Sequence, residues 1–123
     1  MNPTPTEEFQ EKVRKLLVRN SNVLDILTKC QISCGKMCRS TIRSATGCGC
    51  IHIKGEKRSG SLEKTDSGTS GKLCAECLGS IQNEIGENLF YIASLCNALN
   101  ISMAEIMKRE IKNVETLGKY SLR

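Results

Sequence analysis

Apolar residues recur at steps of three and four over four stretches of this chain, the period of amphipathic helices rather than strands. The longest run lies within residues 74–101, where Leu78, Ile81, Ile85, Leu89, Ile92, Cys96 and Leu99 share one face of a helix of about six turns. Phe9, Val13, Leu16 and Leu17 form a shorter stripe that ends near Arg19. Val23, Leu27, Cys30, Cys34, Met37 or Cys38, Thr41 and Ala45 mark the buried face of a second helix, over about residues 23–45. Met103, Ile106, Met107, Ile111, Val114 and Leu117 mark a fourth.

The polar positions between these stripes carry start and stop signals. Thr4 can cap the first helix, Pro5 suits its first turn, and Glu7 completes a capping box. Glu7, Glu8 and Glu11 complement the dipole of its first turns. Asn20-Ser21-Asn22 breaks the first helix and caps the second. Thr46-Gly47-Cys48-Gly49-Cys50 ends the second, with glycine where a left-handed cap is wanted. Ser102 and Glu105 form another capping box, Ile101 and Ile106 a hydrophobic staple, and Gly118 a terminator. Ile51-His52-Ile53-Lys54 alternates for the length of a short strand or extended segment. From Gly55 to Gly71 the composition is Gly, Ser, Thr and charged residues with one Leu, which predicts a mobile surface loop. The expected architecture is all-α: one four-helix domain over residues 1–123, with a cysteine-flanked insertion at 46–77 between the second and third helices.

Composition supports helices. The chain has 123 residues, 39% of them apolar, but only two Phe, two Tyr and no Trp, so aliphatic side chains, Met and Cys must fill the core. The polar, acidic start MNPTPTEEFQ predicts no signal peptide, and no apolar run reaches the ~18 residues of a membrane span. The expected location is therefore cytoplasmic, where thiols stay reduced and eight cysteines point to metal or to packing rather than to disulfides. A net charge of +5 permits a phosphate-bearing partner without demanding one.

Two cysteine pairs, Cys48-x-Cys50 and Cys74-x-x-Cys77, bracket the loop. Four soft thiolates make the closed tetrahedral set of a structural zinc, and one ion there would fix both ends of a long loop. His52 could replace one thiol. A closed set leaves no place for substrate, so this metal is expected to be structural. Cys30, Cys34 and Cys38 step by four along one helix, nearly 6 Å apart per step, too far for all three to share one ion, and read as small core residues. Lys36, Arg39 and Arg43 form a basic stripe on the other side of that helix, a solvated face or a phosphate contact. The loop's Lys57, Arg58 and Lys64, with flanking Lys54 and Lys72, would be a nucleic-acid contact, but Glu56, Glu63 and Asp66 make its charge mixed, and nucleic acid is not the expected partner.

Glu84 and Glu87, three apart, project together from the third helix. From Glu84-Ile85-Gly86-Glu87 through Asn100-Ile101-Ser102 the chain resembles the MazG-like, all-α nucleoside triphosphate pyrophosphohydrolases, and with the helix that follows the match covers about 35 residues. In that family a Glu-x-x-Asp motif opens such a helix, followed by an apolar stretch, a short Asn/Gly-Ile/Leu turn and another amphipathic helix. The resemblance implies a MazG-like bundle and homo-oligomers, dimeric or tetrameric. It also implies magnesium, held by Glu-Glu-x-x-Glu and Glu-x-x-Asp motifs on facing helices, bridging a triphosphate and activating water. Glu84 matches the first acid of the second motif, and Glu87 stands where Asp is usual. The helix over 23–45 departs from the first motif: its one acid is Asp25, and it presents Lys36, Arg39 and Arg43. Glu7, Glu8 and Glu11 spell Glu-Glu-x-x-Glu, but on the first helix. The expected protein is thus non-catalytic or impaired, with structural zinc and a nucleotide or protein partner. The alternatives are a magnesium-dependent pyrophosphohydrolase using Glu84 and Glu87, and a zinc-containing nucleic-acid-binding regulator.

Overall fold

The computed structural model describes residues 2–16, 22–54 and 68–116. Four α-helices carry most of them: α1, Pro5–Leu16; α2, Val23–Arg43; α3, Ala75–Ala98; and α4, Met103–Glu115. Two strands, β1 (Ile51–Ile53) and β2 (Thr69–Gly71), pair antiparallel with His52 opposite Ser70. The protein is mostly helical with this small sheet, and it divides into two compact units, Met1–Cys30 with Leu89–Arg123, and Gln31–Asn88. Among the described residues no single helix is long and apolar enough to cross a membrane; α3 and α4 pass only as a pair bent by 111° at the turn between them.

In the first unit, α1 opens on the expected capping box. The Thr4 N–H donates to Glu7 Oε1 at 2.8 Å, and the Glu7 N–H donates to Thr4 Oγ1 at 3.2 Å. The Thr4 N–H foremost, then the Thr4 hydroxyl donating to Glu7 Oε1 at 3.1 Å, hold the Glu7 carboxyl below its ordinary range. Asn22 Oδ1 accepts the Asp25 N–H at 3.2 Å and starts α2. The turn after α3 places Asn100 at φ 59°, in the left-handed region that Asn tolerates. Ser102 Oγ then accepts the Glu105 N–H at 3.2 Å and starts α4. Leu17 to Ser21, and Leu117 with Gly118, lie outside the described residues, so the expected ends of the first and fourth helices do too.

Val13, Ile26, Ala93 and Cys96 form the apolar centre of this unit. Burial raises the Cys96 thiol above its ordinary value, which keeps it a neutral packing group. Gln10 is buried beside them with every polar group used. Its Nε2 donates to Asn97 Oδ1 at 2.9 Å and to the Ile101 carbonyl at 2.7 Å. Its Oε1 accepts the Met103 N–H at 2.9 Å, and Asn97 Nδ2 donates to its main-chain carbonyl at 3.2 Å. One side chain thus ties α1 to both ends of the α3–α4 turn.

In the second unit, α-helical geometry stops at Arg43 rather than Ala45 and continues as one wider π-helical turn, Ser44–Cys48. Gly49, at φ 83°, closes it by donating its N–H to the Ser44 carbonyl at 2.8 Å. Ile51, Ser33 and Ser44 are the buried residues here. The segment expected as a loop from Gly55 to Gly71 needs correction at its end, because Thr69–Gly71 is a strand; residues 55–67 lie outside the described set.

The buried faces also differ from the sequence pattern. Along α2, Ile26 and Ser33 are buried, whereas Leu27 is 41% exposed and Cys34 and Cys38 are exposed, so those two thiols are not core residues. Along α3, Leu78, Ile85 and Leu89 are all more than 40% exposed, as is Leu99 just after it, while Ala93, Ser94 and Cys96 are buried. The cause is common to both helices. Apolar residues stand on more than one side, so the 3.6-residue period leaves the face open, and small side chains set where another element packs closest.

Candidate metal centre

All four bracketing cysteines converge. The Sγ atoms of Cys48, Cys50, Cys74 and Cys77 lie within 4.8 Å of one another, and Cys48 and Cys74 are 3.9 Å apart. That distance excludes a disulfide, whose sulfurs bond at about 2.05 Å. It matches a sulfur tetrahedron around one ion, since zinc–sulfur bonds of about 2.3 Å set edges of roughly 3.8 Å. The cluster can therefore hold a metal ion. His52, in the middle of β1, is exposed and is not among the converging groups.

Local backbone explains the convergence. Cys48 is the last residue of the π-helical turn, and the left-handed Gly49 reverses the chain so that Cys50 follows on the same side. β1 leaves Cys50 and β2 returns to Gly71, three residues before Cys74. Gly71 has φ 88°, and a Cβ there would sit 2.7 Å from the Cys50 carbonyl oxygen, so the return strand approaches the first cysteine pair as only glycine can. Cys74 then stands at the N-cap of α3: its carbonyl accepts the Leu78 N–H at 2.9 Å, and its Sγ accepts the Cys77 N–H at 3.4 Å.

Electrostatics single out Cys74. The Cys77 N–H, then the Cys77 side chain, bring the Cys74 thiol down to about 7, as befits a sulfur on the positive end of a helix. Ser44 favours the Cys77 thiolate, but Cys74, burial and the other two thiols outweigh it and push Cys77 up to about 12. Cys48 is also raised: Cys77 and the Cys50 main chain draw it down, and Cys74, the Cys50 side chain and burial draw it up further. Four sulfurs this close cannot all ionise unaided, and a divalent cation at their centre supplies the missing charge. Arg43, Ser40, Ser44, Gly47, Glu76 and Ser80 line a cavity of about 260 Å³ with Cys48 and Cys77.

Glu84 and Glu87 meet a cation of the chain itself. Lys36 Nζ lies 3.0 Å from Glu87 Oε1 and 3.7 Å from Glu84 Oε1. The hydrogen bond to Glu87, then the Glu84 charge, raise the Lys36 ammonium above its ordinary value. Among the described residues no third carboxylate or histidine joins the pair to make a metal-binding group. Arg39 and Arg43, the rest of the basic stripe, are exposed, with the Arg39 guanidinium over Gly35. Glu8 and Glu11 pair within α1, with Lys12 and Arg14 respectively. Lys54 and Lys72, flanking the sheet, are exposed; Lys57, Arg58 and Lys64 lie outside the described residues.

The cysteine pairs were visible as spacing. Ser44, Gly71 and the Lys36 bridge were not, because each acts through a partner distant in sequence. Only the glycine three residues before Cys74 offered a local signal. No family model, no curated protein and no solved structure matches this chain.

Proposed function

We propose that this chain is a non-catalytic, MazG-like helical protein whose cysteine-bracketed segment is closed by a structural zinc ion on Cys48, Cys50, Cys74 and Cys77. Four sulfurs, no oxygen donor and tetrahedral spacing favour zinc over the hard cations. The zinc sets where β1 departs and where α3 begins, and a closed ligand set gives it no substrate position.

The non-catalytic part rests on one observation, the Lys36 ammonium between Glu84 and Glu87. A magnesium site needs several oxygen ligands and a vacancy for the cation. Here a fixed positive charge satisfies the two acids instead. With Lys36 so engaged, Arg39 and Arg43 remain as the phosphate contact for a nucleotide or an acidic partner. The chain also associates with copies of itself, consistent with the many large apolar side chains left exposed on its helices.

With magnesium and a panel of nucleoside triphosphates, pyrophosphate release is expected to stay at the level of the protein-free control. Turnover that disappears in Glu84→Gln would overturn the proposal and make the chain a pyrophosphohydrolase.

A further inference from the structure

α4 leaves an apolar strip uncovered. No residue of this helix is buried, and Met107, Ile111 and Val114 are 52, 56 and 52% exposed. They stand at i, i+4 and i+7, which confines them to about 60° of the helix circumference. The half-buried residues of α4 (Met103, Ala104, Glu110 and Asn113) are others. Ile106, 41% exposed, widens this face to about 140° near the start of α4, and an apolar face left uncovered over two turns is one that a second helix can cover.

Charge beside the strip selects the partner and its direction. Lys108 and Glu115, both exposed, flank it on one side, seven residues and roughly 10 Å apart. Their midpoint falls beside Ile111. A two-fold axis there, relating two antiparallel copies of α4, sets Lys108 against Glu115 of the partner subunit and the reverse pair across the axis. The apolar strips then lie along each other, each crossing the axis at Ile111. In a parallel pair the two-fold axis runs along the helices, so the Lys108–Glu115 flanks of the two copies fall on opposite sides of the seam and these charges do not meet. The exposed Lys108–Glu105 contact, 3.4 Å, holds Lys108 only weakly and can be exchanged.

We propose that α4 pairs antiparallel with α4 of a second copy of this chain, with Met107, Ile111 and Val114 in the seam and Lys108 facing Glu115 of the partner subunit. This rests on the self-association proposed above and names its interface.

Light scattering on size-fractionated protein over a range of concentrations tests both, with circular dichroism to confirm that each variant is folded. Ile111→Glu is expected to lower the assembly to half its mass or to the monomer. Lys108→Glu and Glu115→Lys, each alone, are expected to weaken association about tenfold, and the double reversal to restore it. A monomeric wild-type protein would overturn the proposal and the self-association together. An oligomer that survives Ile111→Glu would overturn this interface alone. Single losses that add up in the double variant would overturn the antiparallel arrangement.

Discussion

Cys74 does two jobs with one sulfur. It caps α3 by accepting the Cys77 N–H, and the same bond prepares its thiolate for a metal. Gly71 is the less conspicuous residue on which this depends. Its left-handed φ and its 2.7 Å approach to Cys50 leave no room for a side chain, and the approach is to backbone, which cannot swing away. Gly71→Ala is therefore expected to cost about 1–3 kcal/mol, measured by denaturant unfolding of the metal-loaded protein. It should also speed loss of metal to a chelator. A substitution with neither effect would show that β2 does not position the cysteine pairs. The cysteines themselves were legible in the sequence because each pair is local. Lys36 was not, since whether it faces phosphate or Glu84 and Glu87 depends on the register of α2 beside α3, which no local spacing encodes.

The helices are a mixed case. Starts and stops were legible where capping chemistry is local: Thr4 with Glu7, Asn22 with Asp25, Gly49, and Ser102 with Glu105 all act within a turn of themselves. Faces were less so. Ser33 and Ser94 are buried while Leu27 and Leu89 are exposed, because α2 and α3 are apolar on several sides and small residues decide the contact. Gln10 is the sharpest case. A polar residue in an acidic helix reads as surface, yet it is the joint between α1 and the α3–α4 turn. Gln10→Ala leaves part-buried partners on Asn97, Ile101 and Met103 without their bonds and is expected to destabilise the protein by about 1–3 kcal/mol. The denaturant midpoint should fall with the slope unchanged, and a loss below about 0.5 kcal/mol would mean that the turn holds without it.

At the scale of the whole molecule, the expected all-helical chain is mostly helical with one added feature, a two-stranded sheet between the cysteine pairs. The second strand escaped the sequence because Thr-Ser-Gly carries no apolar alternation; pairing with β1 and the approach of Gly71 to Cys50 define it instead. The four converging cysteines therefore involve more than a loop: a metal ion on them would close the π-helical turn, both strands and the start of α3 onto one another. Thiolate ligation also makes its hold pH-dependent, with metal released as acid protonates the sulfurs.

The most direct test is elemental analysis of protein purified without added metal, for the wild type and for Cys74→Ser. About one zinc per chain in the wild type, lost in the variant together with a lower melting temperature, is the expected result. Wild-type protein that contains no zinc, and whose melting is unchanged by zinc or by a chelator, would contradict a structural metal at Cys48, Cys50, Cys74 and Cys77.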